Sequence, residues 1–468
     1  MTRRRALAGA CLALAAACSG SPDASDLAPV STSSSPSTSL VRLPAEGGLA
    51  RAYSLPDLTE SDWKPEGRLP AIDSVIGINA EQSIVYARDS RGAIASIDLP
   101  GARVRTPIRG VRSASVAADG TLYTVDTAGV VVAYGRRAPE RFAARYDGAP
   151  PRLYGALGGR LIAVAAEGGE LAISAARDSA LIQPIADGPV AVTLWGDLVA
   201  VAADTAVLVY DPTGQRPARS IDMENGARSV AFSPSGHQLY VAQDDARLAV
   251  IERFSLEVRG RIDLPGRADH LRPGPFGRWL LAHAIGSDSI WVVDLETERV
   301  AGAIVATWDG DLPLVSGDGL LVLRSGDDVR VHDLAAPGFP ERGRVAGGAA
   351  DRWVAPSWSP PGSPVSAPEA PDNAAADTAD SAAPDSAAAS ADRVYLQISS
   401  SQNPEWAREL SDKLTSAGLP ARVLQPASAG DPYRVVLGPY PSREQAEETG
   451  RSLGMPYFVI NATDPAAP

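Results

Sequence analysis

Between residues 75 and 350 the hydrophobic and polar positions repeat one unit. An apolar run is followed by a tight turn, a second apolar run, a polar Gly/Asp turn, and a third run that often ends in an acid. The first turn recurs as Glu81-Gln82, Asp119-Gly120, Gly158-Gly159, Trp195-Gly196, Ser235-Gly236, Phe276-Gly277 and Asp318-Gly319. From Gln82 onward the intervals are 38, 39, 37, 40, 41 and 42 residues. The second runs align as Ile84-Val85-Tyr86-Ala87, Leu122-Tyr123-Thr124-Val125, Leu161-Ile162-Ala163-Val164, Leu198-Val199-Ala200-Val201, Leu239-Tyr240-Val241-Ala242, Leu280-Leu281-Ala282 and Leu320-Leu321-Val322-Leu323. They have strand length but lack the alternation of a half-buried strand, as a strand buried on both faces does. The third runs end at Asp98, Asp211, Glu252, Asp294 and Asp333, acids expected to accept backbone N–H bonds in the turns that follow.

A period near 40 residues with about four short strands per unit is the signature of a β-propeller. One unit cannot bury both faces of its sheet, whereas a closed ring buries each against the next. Seven blades fit the count. Six or eight are compatible with it, since residues 40–74 can supply a closing strand, and a pair of β-sandwiches is the alternative architecture. The units at 227–264 and 269–304 resemble the YVTN-type repeats of bacterial surface and periplasmic propellers. The residues that carry the likeness are Val230-Ala231-Phe232-Ser233-Pro234-Ser235-Gly236, Leu239-Tyr240-Val241-Ala242 and Ile290-Trp291-Val292-Val293-Asp294. That resemblance implies a fold and no particular activity.

At residue 360 the pattern stops. Residues 360–392 are rich in Pro, Ala and Ser and carry Glu369, Asp372, Asp377, Asp380, Asp385 and Asp392 without a basic residue. Prolines and like charges keep such a segment extended, with a reach of up to ~100 Å. It separates the propeller, placed at 41–359, from a module at 393–462 and a tail at 463–468.

In the module, residues 394–399 read as a strand. Asn403 and Pro404 open a helix with Ala407, Leu410, Leu414 and Ala417 on one face and Gly418 as its stop. Residues 421–424 and 433–437 are strands, Ser442-Arg443-Glu444-Gln445 is a capping box for a second helix ending near Leu453-Gly454, and residues 457–460 close as a strand. The order β-α-β-β-α-β predicts a ferredoxin-like α+β unit with four antiparallel strands and both helices on one face. Alternation turns Val394, Leu396 and Ile398, and likewise Tyr433, Val435 and Leu437, toward the helices. It leaves Gln397, Arg434 and Val436 on the open face.

This order, with Leu396-Gln397-Ile398-Ser399-Ser400 and Tyr433-Arg434-Val435-Val436-Leu437-Gly438-Pro439-Tyr440, resembles a SPOR domain. The resemblance implies binding of peptidoglycan glycan strands stripped of stem peptides, which concentrate at division septa. Gln397, Ser400 and Arg434 match the family's glycan-contacting positions. An amide, a hydroxyl and a guanidinium suit sugar hydroxyls and N-acetyl carbonyls, which need donors and acceptors together. The aromatics often found beside these positions are Ser401 and Pro432 here, which implies weaker binding through less stacking.

The N-terminus has its own logic. Arg3-Arg4-Arg5 precedes an apolar stretch, residues 6–16, too short to span a bilayer. Leu14-Ala15-Ala16-Ala17-Cys18 resembles the lipobox of bacterial lipoproteins, which implies a signal peptide at 1–17 and lipidation of Cys18. Residues 18–40 form a Ser-rich tether of roughly 25 Å reach. Ser19, not aspartate, follows the cysteine, a residue that points to the outer membrane in enterobacterial lipoproteins. With Cys11 and Cys18 the only cysteines of the 468 residues, there is no disulfide framework or thiolate site beyond residue 18.

Net charge is −13, and −16 once Arg3–Arg5 are removed (40 basic against 56 acidic residues). Such a chain is repelled by nucleic acid and anionic surfaces. His237, in a Ser-Gly-His turn, and His332, just before a strand-end acid, read as surface or turn positions. Asp269-His270 and His283 fall in one blade and could approach the channel, but two histidines from one blade do not surround an ion. The sequence therefore assigns no metal, no cofactor and no catalytic residue. The expectation is a lipid-anchored envelope protein, not an enzyme, that binds glycan through the module and presents the propeller to an envelope or division protein. The alternative is a periplasmic propeller hydrolase or lyase targeted to the wall.

Overall fold

The computed structural model describes residues 39–361 and 394–461, apart from short segments within them such as 118–119, 157–159, 165–169, 317–318, 426–432 and 451–456. Cys18 and nearly all of the acidic linker lie outside the described residues.

Eight four-stranded antiparallel sheets follow one another in the described part of residues 39–354. Seven are the repeats read from sequence: blades 1 to 7 at 72–108, 111–145, 152–184, 190–222, 229–263, 268–305 and 314–345. The eighth takes Arg352–Val354 as its innermost strand and Ser39–Leu43, Arg51–Ser54 and Thr59–Glu60 as the outer three. The propeller thus has eight blades, the upper end of the expected range. The repeat pattern does not count this blade because its strands come from both ends of the domain. Pairing of Val41 with Val354 and Arg42 with Trp353 closes the ring.

Eight apolar clusters, one at each blade junction, hold the wheel together. In blade 5, Leu239 and Val241 pack toward blade 4 while Tyr240 and Ala242 pack toward blade 6. In blade 6, Leu280 and Ala282 meet blade 5 and Leu281 meets blade 7. Leu40, Tyr53 and Trp353 of blade 8 meet Val322 and Val331 of blade 7, and Val41, Leu43 and Ala52 meet Val85 and Ile97 of blade 1. Two buried faces explain why the central strands read as unbroken apolar runs. Each fully buried aliphatic side chain contributes about 1.5–3 kcal/mol of transfer free energy.

The repeated glycine has a conformational cause. Gly120, Gly196, Gly236, Gly277 and Gly319 lie at φ of +84°, +60°, +73°, +74° and +74°. Each donates its N–H to the carbonyl three residues back, at 2.8–3.1 Å. A side chain is strained at such a φ, so glycine recurs at the blade period. The five strand-end acids do as expected. Asp98, Asp211, Glu252, Asp294 and Asp333 each accept at least one backbone N–H, at 2.7–3.1 Å.

The C-terminal module has one four-stranded antiparallel sheet in the order Ala421–Leu424, Tyr433–Tyr440, Val394–Ser401, Phe458–Asn461. Helix α1 (Pro404–Ser416) covers one face with Ala407, Leu410 and Leu414, all buried against Val394, Leu396, Ile398, Val435 and Leu437. Gly418, at φ +84°, follows its last turn. Asn403 and Ala417 lie outside the described residues. Of the second helix, Gln445-Ala446 and Thr449-Gly450 are described as helical, and Gln445 N–H donates to Ser442 Oγ at 3.2 Å as the capping box requires.

The module does not hang free. Leu194 and Trp195 of blade 4 and Phe254 of blade 5 pack against the cluster beneath α1. They belong to the turn joining the first two strands of blade 4 and the turn joining the last two strands of blade 5. Because strands alternate in direction, these turns share one end of the wheel.

Candidate functional site

Two places gather polar chemistry: the open face of the module sheet and a bulge in blade 6.

On the module sheet, Gln397 and Arg434 come together as alternation predicts. Arg434 Nη1 donates to Gln397 Oε1 at 3.4 Å, and both side chains are half-buried. Ser400 pairs with Arg434 in the register, which brings its backbone to the same end of the sheet; its side chain lies outside what the structure describes. Val436 differs from expectation. It is fully buried in a second small cluster with Tyr395 and Leu424, with Ile460 packed alongside. The face opposite the helices thus carries an apolar patch flanked by polar groups.

Sequence reasoning passed over Arg422. Its guanidinium carbon lies 4.6 Å from the Tyr395 ring centroid, a cation–π contact, and its buried Nε and Nη2 have no hydrogen-bond partner among the described residues. Arg422 pairs with Val436, and Val436 with Gln397, so the three form one row across the sheet. Tyr395 stands two residues before Gln397 on the same face, the period-two signal that could have flagged the pair. Being 1% exposed, Tyr395 offers little stacking surface.

The helix side faces the propeller. Asp197 in the blade 4 turn binds both Arg253 of blade 5 and Lys413 of α1, and Thr193 Oγ donates to its other oxygen at 2.6 Å. Glu409 closes the group at 2.7 Å from Lys413 Nζ and 3.7 Å from Arg253 Nη2. Burial pushes the Asp197 carboxyl up, but the charges of Arg253 and Lys413 and the hydrogen bonds from Lys413 and Thr193 outweigh it and hold it well below the usual carboxylate range. A cavity of about 290 Å³ opens beside this group, lined also by Arg216 and Arg219. With α1 turned to the wheel, the Gln397–Arg434 face points away from it.

In blade 6, Asp269, His270 and His283 converge. Asp269 Oδ1 accepts from His270 Nδ1 at 2.8 Å and from His283 Nδ1 at 2.7 Å. Burial pushes the Asp269 carboxyl up, but the hydrogen bonds and charges of the two imidazoles together outweigh it and hold it below its ordinary value. Of the other histidines, His237 lies in the turn before strand Gln238–Ala242, whereas His332 lies within strand Asp328–Asp333. His237 lies against Ser235, and burial beside Arg259 and Arg253 lowers it to about 4, so it is neutral at pH 7. His332 Nδ1 donates to the Phe339 carbonyl at 2.8 Å.

No curated protein matches the sequence. Among solved structures the chain is similar to dihydro-heme d1 dehydrogenase NirN in complex with DHE, with 14% identity and a TM-score of 0.50, over 69% of this chain and 75% of that one. It is also similar to AztD from Citrobacter koseri, with 10% identity and a TM-score of 0.47, over 69% of this chain and 99% of that one. The first likeness bears on the propeller fold alone. No helix among the described residues is long and apolar enough to cross a membrane. Residues 390–454 match the SPOR domain family, and a SPOR domain implies peptidoglycan binding and a place in the cell envelope.

Proposed function

We propose that this protein binds the denuded glycan strands of peptidoglycan through the open sheet face of its SPOR domain, at Gln397, Ser400 and Arg434, with Arg422 in the adjoining row. The observation that carries this reading is the meeting of Gln397 and Arg434 at 3.4 Å on the face turned away from both α1 and the propeller. That face presents an amide oxygen and guanidinium donors together, as N-acetyl groups and sugar hydroxyls require. The near-neutral balance of the module suits an uncharged glycan better than a polyanion. The propeller acts as a scaffold for an envelope or division protein, and the chain binds without catalysing. Lipid on Cys18 holds it at the outer membrane facing the periplasm, with enrichment at the septum.

Sacculi test the glycan reading. The purified chain is expected to sediment with amidase-treated sacculi more than with intact ones, and equal sedimentation with both would contradict it. For the anchor, Cys18→Ser should move the protein from the membrane fraction to the soluble periplasm. Retention of that variant in membranes at high salt would refute lipid attachment.

A further inference from the structure

The innermost strand of blade 6, Ala268–Pro273, is bulged. Its register with Trp279–Ala284 runs Ala268 to Ala284 and then His270 to His283, so Asp269 and His270 together oppose the single residue His283. A bulge breaks period-two alternation and sets two consecutive side chains over one partner. That is how sequence neighbours Asp269 and His270 come to share a face with His283. The ligating atoms of the three all lie within 4.8 Å of one another.

The same bulge recurs elsewhere in the wheel with different contents. Blade 1 is bulged between Ile72 and Ser74, so Asp73 and Ser74 oppose Arg88. Blade 2 is bulged between Val111 and Ser113, so Arg112 and Ser113 oppose Val125. In register, Asp269, His270 and His283 replace Asp73, Ser74 and Arg88. The backbone device belongs to the repeat. The metal-ligating set, among these three bulges, belongs to blade 6.

The surroundings favour an ion. Trp308 walls the cluster, its ring 5.9 Å from that of His270 and 5.6 Å from that of His283. Arg272 stacks on the same Trp308 at 4.7 Å and gives its N–H groups to the carbonyls of Asp309, Gly310 and Pro313. His283 is largely buried, with 17% of its side chain exposed, and His270 is open at 59%. The cluster is therefore anchored on one side and reachable by water on the other.

We infer that Asp269, His270 and His283 form a binding site for one divalent transition-metal ion of the zinc class. Two imidazoles and a carboxylate are a borderline donor set that prefers Zn²⁺, Ni²⁺ or Cu²⁺ to Mg²⁺ or Ca²⁺. Without metal, one carboxylate oxygen takes both Nδ1–H protons. An ion on Nδ1 requires each imidazole to be neutral with its proton on Nε2, so protonation of the imidazoles competes with the ion and affinity falls as pH falls. Three protein ligands leave a coordination position for water or an incoming ligand. The site sits where the first strand of blade 6 begins and the second ends, which strand alternation places at the end of the wheel opposite the SPOR domain. The ion and the glycan are bound on opposite sides of the protein.

The test uses the purified chain, stripped by chelator and titrated with Zn²⁺ at pH 7.5 by calorimetry. One Zn²⁺ per chain is expected, undisturbed by millimolar Mg²⁺. His283→Ala and the exposed His270→Ala should each weaken it by at least the ~100-fold that outer-shell changes can cost, with unchanged thermal melting. Co²⁺ in place of Zn²⁺ should give ligand-field absorption that both variants lose. Cu²⁺ should quench tryptophan fluorescence in the parent more than in Trp308→Phe, which still binds one Zn²⁺. Absence of stoichiometric Zn²⁺ binding, its displacement by equimolar Mg²⁺, or unchanged binding by the folded His270→Ala/His283→Ala variant would each overturn the assignment.

Discussion

Strand Gln238–Ala242 of blade 5 and strand Tyr433–Tyr440 of the SPOR domain look alike in sequence, since each centres on an apolar run. Their surroundings differ. In the blade both faces of the strand meet neighbouring sheets, Leu239 and Val241 on one side and Tyr240 and Ala242 on the other. In the domain Val435 and Leu437 lie under α1, while Val436 on the other face packs with Tyr395, Leu424 and Ile460 of the same sheet. A closed ring therefore has no free sheet face, and its ligand-facing groups must sit at turns, strand ends and bulges. The SPOR sheet has one face under a helix, and its other face carries Gln397 and Arg434 in the strands themselves.

The largest effect that sharpens this contrast is a cavity at a blade junction. Leu281 is fully buried between blades 6 and 7, so Leu281→Ala should destabilise the propeller by about 2–5 kcal/mol in denaturant unfolding. Glycan binding by the SPOR domain should survive. Loss of both together would show that the two regions fold as one.

A smaller effect separates them by pH. His237 is neutral in the folded propeller because burial beside Arg259 and Arg253 depresses it from 6.5 to about 4. The unfolded chain takes up that proton first as pH falls, so this stability is complete above 6.5 and lost between 6.5 and about 4. Thermal melts of the propeller should fall through that window, and His237→Gln should flatten the slope. Identical slopes for parent and variant would rule out the neutral His237.

The same contrast explains what the sequence disclosed. Seven blades were legible because a tight turn and the apolar run after it return at nearly fixed intervals, with a left-handed glycine or a strand-end acid marking most units. The eighth was not, because a three-residue strand at Arg352–Val354 and strands from residues 39–60 carry no common period. Gln397 and Arg434 were legible because an open sheet face obeys alternation. Asp269, His270 and His283 were visible as residues but not as a cluster, since a bulge is the local failure of that rule. The docking of α1 left no mark either. Glu409 and Lys413 are an ordinary i,i+4 pair until Asp197 and Arg253 are brought to them. Val436 looked exposed because alternation names a face without saying what covers it.

The central claim is that the SPOR domain uses its two sides differently, the sheet for glycan and α1 for the propeller. Two double variants of the full chain test it in one assay with amidase-treated sacculi. Gln397→Ala/Arg434→Ala should lose the preference for treated over intact sacculi while its melting temperature stays unchanged. Glu409→Ala/Lys413→Ala should keep that preference. Amide hydrogens of α1 should exchange faster in it, the helix having lost its contacts with Asp197 and Arg253. Glycan binding that survives the first variant and fails in the second would place the site on the helix side and contradict the account.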